Sequence, residues 1–200
     1  MTGIDSELQE EKPSLRRSRR SLMWAAYAVF IWSLAYMIPH LYWSLGGTIG
    51  LSMVVSSAAN LPEWQLINGI ASVLLTAAGC LGLALLYLKK RKVQNWLLLI
   101  IILGGCSLSI SHGMYGMINR ILQWAGLIEL EGGSFTFSEH AYVLWDLFVF
   151  EPWFTIEGIL FGRLGWSYLS GPQPRRLWLI FCFLGVLVGL ITGLLGVRFA

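Results

Sequence analysis

The stretch LMWAAYAVFIWSLAYMIPHLYWSL, residues 22–45, decides the fold. Its 24 residues include no Lys, Arg, Asp or Glu. At 1.5 Å per helical residue such a run crosses a hydrocarbon layer of about 30 Å. Residues 66–88, 93–118, 139–162 and 177–197 are further apolar runs of spanning length. The whole chain is 56% hydrophobic and only 12% charged, an excess of apolar side chain over what one soluble domain buries. The expected fold is therefore all-α: a polytopic bundle of five transmembrane helices. Residues 1–20 form a disordered basic cytoplasmic arm and residues 21–165 a four-helix membrane core. Residues 166–200 supply a cytoplasmic loop and a glycine-rich fifth span.

Charge sets the expected orientation, because short loops rich in Lys and Arg stay on the cytoplasmic side. Arg16-Arg17-Ser-Arg19-Arg20, Lys89-Lys90-Arg91-Lys92 and Arg175-Arg176 fall on one side if the N-terminus is inside. The opposite loops, 46–65 and 119–138, hold Arg120 as their one cation, beside Glu63, Glu129 and Glu131. A net charge of +3 is then a topology signal, and no basic folded face suggests nucleic acid. Ser18-Arg19-Arg20 loosely resembles a twin-arginine export start, but the apolar run is too long for a cleavable segment and reads as a retained span. Cys80, Cys106 and Cys182 each lie inside a span without C-x-x-C spacing, as packing groups do. Helix starts are signalled at Asn60-Leu-Pro62-Glu63 and Thr136-Phe-Ser-Glu139, and the loop 48–61 between the first two spans is unusually apolar. Gly185, Gly189 and Gly193 invite close helix approach, within the chain or between two copies as a homodimer.

Ionisable groups inside a bilayer need a partner or a water-filled cavity. The set is His40, His112, Asp146, Glu151 and Glu157. Counted inward from the outer helix ends, His40 lies ~9 Å deep, His112 and Asp146 ~12 Å, and Glu151 ~20 Å. Helical phase groups them. Trp32, Tyr36, His40, Trp43 and Gly47 share a face of the first span; Gly105, Ser109, His112, Gly116 and Asn119 share one on the third. Asp146, Phe150, Trp153 and Glu157 align on the fourth, with Glu151 pointing elsewhere unless Pro152 bends the helix. Asn68, Ser72, Thr76 and Gly79 give the second span a polar face. Pro39 and Gly46-Gly47 let the end of the first span bend and turn, aiming His40, Tyr42 and Trp43, with Tyr42 also suited to the interfacial aromatic belt.

The expected site is an outward-facing pocket between spans one, three and four, built from His40, His112, Asp146 and Glu151 and framed by Trp43 and Trp153. Glu157 is expected to pair on the cytoplasmic side with Arg163 or Arg91. Such a set suits binding or conduction of a small ligand, proton or ion. It also suits a divalent metal held by His40, His112 and Asp146, a b-type haem between the two histidines, or intramembrane acid–base catalysis. A structural polar network with no ligand and no cofactor is the alternative.

His40-x-Tyr-Trp-x-x-Gly-Gly47, His112-Gly-x-x-Gly116 and Glu151-Pro-Trp-Phe154 followed by Gly158 are the features on which the chain resembles a bacterial family of small membrane proteins, the domain of unknown function 3995 family. The resemblance covers roughly residues 22–165. It implies the bacterial cytoplasmic membrane and implies that these three elements belong together. It implies no activity.

Overall fold

The computed structural model describes residues 4–50, 61–87, 92–128 and 137–195, and these are helical apart from short turns. α1 is Ile4–Ser44, α2 Leu61–Tyr87 and α3 Lys92–Trp124. α4, Phe137–Trp145, runs through a π-helical turn, Asp146–Phe150, into α5, Glu151–Tyr168; α6 is Pro172–Leu194. α1 reaches back to Ile4 through the arm for which the sequence suggests no regular structure; Glu, Gln, Lys and Leu there are good helix formers. The signals at Asn60 and Thr136, the loop 51–60, Lys89–Arg91 and residues 197–200 lie outside the described residues.

Among the described residues, four helices are long and apolar enough to cross a membrane: Arg19–Ser44, Leu61–Tyr87, Trp96–Trp124 and Pro172–Leu194. The expected fourth span, 139–162, departs from expectation because it is not one α-helix. Pro152 has no N–H to give, and the ladder widens into the π-turn just before it. Large apolar side chains on the helices point outward, Ile31 at 63%, Leu74 at 63% and Phe183 at 69% exposure, so the bundle's exterior is itself hydrocarbon-like.

Small residues set which helices touch. A methyl group on Gly82 would meet the Ala26 carbonyl at 3.0 Å, and one on Gly79 the Phe30 backbone, so α1 and α2 run antiparallel in close contact. A methyl on Gly158 would lie 2.8 Å from the Cys106 carbonyl, and Gly105 faces Phe161, which places α5 antiparallel on α3. Gly185, Gly189 and Gly193 face Ser107, Ser111 and Tyr115, so α6 lies parallel to α3. The glycine stripe thus packs against α3 within the chain. Ser21 against Ser167 and Ser33 against Glu157 align α1 antiparallel to α5. α5 thus sits between α1 and α3; Arg19, Arg20, Arg163, Arg175 and Arg176 gather at one end of the bundle, and Arg120 lies toward the other. The apolar core, with Val29, Leu85, Ile102, Phe161 and Leu164, lies toward that end.

Candidate functional site

In a regular α-helix, side chains five residues apart diverge by ~140°. The π-turn removes much of that divergence: the Glu151 N–H bonds the Asp146 carbonyl, five residues back. Both carboxylates consequently reach α3, Asp146 at Arg120 and Glu151 at His112 and Gly116. The regular-phase expectation that Glu151 points away from Asp146 fails for this reason.

Glu151 is 6% exposed. Its carboxylate lies on the bare backbone of Gly116, in space that any Cβ there would occupy. Oε2 has no hydrogen-bond partner, and His112 Nε2 stands 3.9 Å from it, too far for a bond but close enough for a small rotation to make one. The His112 side chain is 37% exposed against 8% for Glu151, so the imidazole connects a buried carboxylate to the surface of the bundle. The sequence puts the two in one expected pocket but at different depths, ~12 Å and ~20 Å. Gly116, one helical turn after His112, is what admits the carboxylate.

His40 belongs to a second cluster. Its Nδ1 lies 2.6 Å from Asn68 Oδ1, while Asn68 Nδ2 donates to the Trp64 carbonyl. With Oδ1 as acceptor, Nδ1 carries the hydrogen and Nε2 is left as a buried atom without a partner. Tyr36 meets the His40 ring edge-on at 4.8 Å and Phe154 at 5.2 Å, and Phe154 meets His112 at 4.5 Å. Trp153 stacks on Tyr36 at 5.3 Å and on Trp32 at 4.1 Å, and Trp32 Nε1 donates to the Trp153 carbonyl. Trp153 Nε1 is buried and unpartnered. An aromatic layer therefore fills the space between spans one, three and four where the sequence suggests an open pocket. An open groove lies instead on another face, between Ser44 of α1 and Gln65, Gly69 and Val73 of α2.

A family model described as "Protein of unknown function (DUF3995)" matches residues 33–161, more than half of the chain. The chain belongs to the DUF3995 family. No curated protein and no solved structure matches it. The matched stretch of this DUF3995 chain takes in His40, His112, the π-turn, Glu151 and Glu157. α6 and the basic arm fall outside it.

The remaining site residues of the DUF3995 chain take partners that the sequence does not name. Asp146 Oδ2 accepts from Arg120 Nε at 2.5 Å, and the other Arg120 nitrogens donate to Gln123 Oε1 and Tyr142 Oη. Glu157, 3% exposed, accepts from Ser33 Oγ at 2.6 Å, while the expected Arg163 turns to Ser21; Arg91, the other expected partner, lies outside the described residues. Nothing in the sequence singles out Ser33 as that partner. Tyr42 and Trp43 hold the turn after α1: Tyr42 Oη accepts from the Thr48 and Ile49 amides, and Trp43 Nε1 donates to the Ile49 carbonyl. Gly46 makes the turn at φ +89°, and Gly47 lies against the Tyr42 ring where a Cβ has no room. Trp43 still borders His40, at 5.8 Å between rings.

His40, His112 and Asp146 do not make a metal site, and among the described residues no three His, Cys, Asp or Glu side chains gather as one. His40 is bonded to Asn68 and Asp146 to Arg120, while His112 faces Glu151. A haem between the histidines does not fit either, since both imidazoles would have to face one iron and the Tyr36 and Phe154 rings stand between them.

Proposed function

We propose that this DUF3995 protein is a multi-pass protein of the bacterial cytoplasmic membrane, N-terminus inside, whose Glu151–His112 pair, reached from the outer side, conducts a proton or binds a small polar ligand. The composite helix α4–α5 is the fifth span in this proposal. The outward-facing apolar side chains support insertion, and the gathering of arginines at one end supports the orientation. The antiparallel order of α1, α2, α3 and α5 supports a common outer-leaflet level for His40, Asn68, His112 and Glu151.

The observation that carries the proposal is the unpartnered Oε2 of Glu151 beside His112. A buried polar atom without a hydrogen bond is costly, and where one persists next to a titratable ring the pair is poised to exchange a proton or accept a ligand donor. Asp146 and Arg120, one turn nearer the outer surface, form the charged mouth above the pair. A structural polar core is the second reading, favoured by the closed Ser33–Glu157 and His40–Asn68 bonds.

Vesicles carrying the purified chain and an internal pH dye separate the two. Under an imposed pH gradient the wild type is expected to equilibrate faster than empty vesicles, with Glu151→Gln and His112→Ala returning to the empty-vesicle rate. Native mass spectrometry of the same preparation reports any retained small ligand. If the wild type neither moves protons nor retains a ligand that Glu151→Gln loses, the polar core is structural.

A further inference from the structure

At the arginine-rich end of the bundle, Arg163 has no acidic partner among the described side chains. Arg163 lies on α5, five residues before its end, or ~7.5 Å along the axis, and its side chain is exposed. Its hydrogen bond is to a neutral group: Nη2 donates to Ser21 Oγ at 3.2 Å. Ser21 Oγ in turn lies 3.1 Å from Ser167 Oγ, with Ser167 buried at 4% exposure. Among the described side chains at this end none is acidic. The two ion pairs of the described residues, His112–Glu151 and Arg120–Asp146, lie toward the opposite end, and the nearest carboxylate on the same helix, Glu157, is taken by Ser33. Arg20, exposed, adjoins Ser21 on α1. Arg175 is spoken for: its Nε donates to the Leu169 carbonyl and its guanidinium covers Trp166 at 5.5 Å.

A guanidinium at the membrane boundary needs an anion, and its planar fork matches the oxygens of a phosphate. We propose that Arg163, with the Ser21 hydroxyl, which Ser167 holds from beneath, and Arg20, binds the phosphodiester of an anionic phospholipid from the cytoplasmic leaflet, at the seam between α1 and α5. The site rests on the membrane orientation given above and is independent of the Glu151–His112 chemistry. Charge complementarity selects the occupant, because a phosphatidylglycerol headgroup brings a net negative charge to the seam and a phosphatidylcholine headgroup brings none. The apolar α1 and α5 surfaces below the seam accept the acyl chains.

The full chain is reconstituted in bilayers of equal parts phosphatidylglycerol and phosphatidylcholine, and the lipids retained on release are weighed by native mass spectrometry. The wild type is expected to retain phosphatidylglycerol in preference to phosphatidylcholine. Arg163→Ala is expected to lose that preference by about tenfold, the loss of one charged hydrogen bond. Arg163→Lys keeps the charge without the fork and is expected to retain an intermediate preference, which keeps the test open if the alanine variant fails to fold. Arg176→Ala removes an exposed arginine of the same end and is expected to leave the preference unchanged. A wild type that inserts but shows no preference overturns the site, and so does an Arg176→Ala loss as large as that of Arg163→Ala. Failure of the chain to enter bilayers at all counts against the membrane reading instead.

Discussion

Glu151 and Glu157 sit six residues apart on α5, both nearly inaccessible, and they are treated in opposite ways. Glu157 faces α1 and closes a 2.6 Å hydrogen bond with Ser33. Glu151 faces α3, rests on the backbone of Gly116 and keeps an oxygen without a partner beside a partly exposed imidazole. Burial alone therefore does not single out a working carboxylate. What distinguishes the two is whether the surrounding helix completes the group's hydrogen bonds or leaves one to be made by something that comes and goes.

Four substitutions break or sharpen that contrast, read by unfolding of the full chain in mild detergent. Gly116→Leu removes the space that Glu151 occupies and is expected to cost about 3 kcal/mol, the upper part of the overpacking range. A stability loss near zero would mean that the carboxylate is not held there. Glu157→Ala strips the acceptor from a buried hydroxyl and is expected to cost about 2 kcal/mol, while leaving vesicle proton flux intact. Ser33→Ala removes the other half of the same bond at a cost of about 1 kcal/mol. The Ser33→Ala and Glu157→Ala losses should not add, since they delete one shared interaction. Glu151→Gln keeps the shape and loses no bond at Oε2, so its stability should change by only about 0.5 kcal/mol or less. A large loss there would place Glu151 in the same structural class as Glu157.

Hydropathy made four long apolar helices legible, because uncharged runs such as residues 22–45 stand out against the rest of the chain. The glycine positions of α6 were legible as a close-packing face, though not their partners Ser107, Ser111 and Tyr115, since the rotation of one helix against another is a tertiary property. Depth reckoning set His112 and Glu151 at different levels, whereas 3.9 Å separates them. It assumes regular helices whose outer ends stand at one height. The π-turn breaks the regularity, and periodicity at 3.6 residues cannot register it; Pro152 is its only trace in the sequence. Residue types predicted that buried ionisable groups would be paired. They did not predict that Asp146 would go to Arg120, His40 to Asn68 and Glu157 to Ser33, because several partners of equal chemistry were within reach on paper.

The most direct test of the exchangeable Glu151–His112 pair is the infrared carboxyl signal of the bilayer-embedded chain, followed as the bulk pH is stepped and assigned by substitution. A signal that responds to pH in the wild type and in Glu157→Gln, vanishes in Glu151→Gln and is displaced in His112→Ala is the result expected here. A pH response that survives Glu151→Gln, or a wild-type Glu151 signal indifferent to pH, would contradict the account.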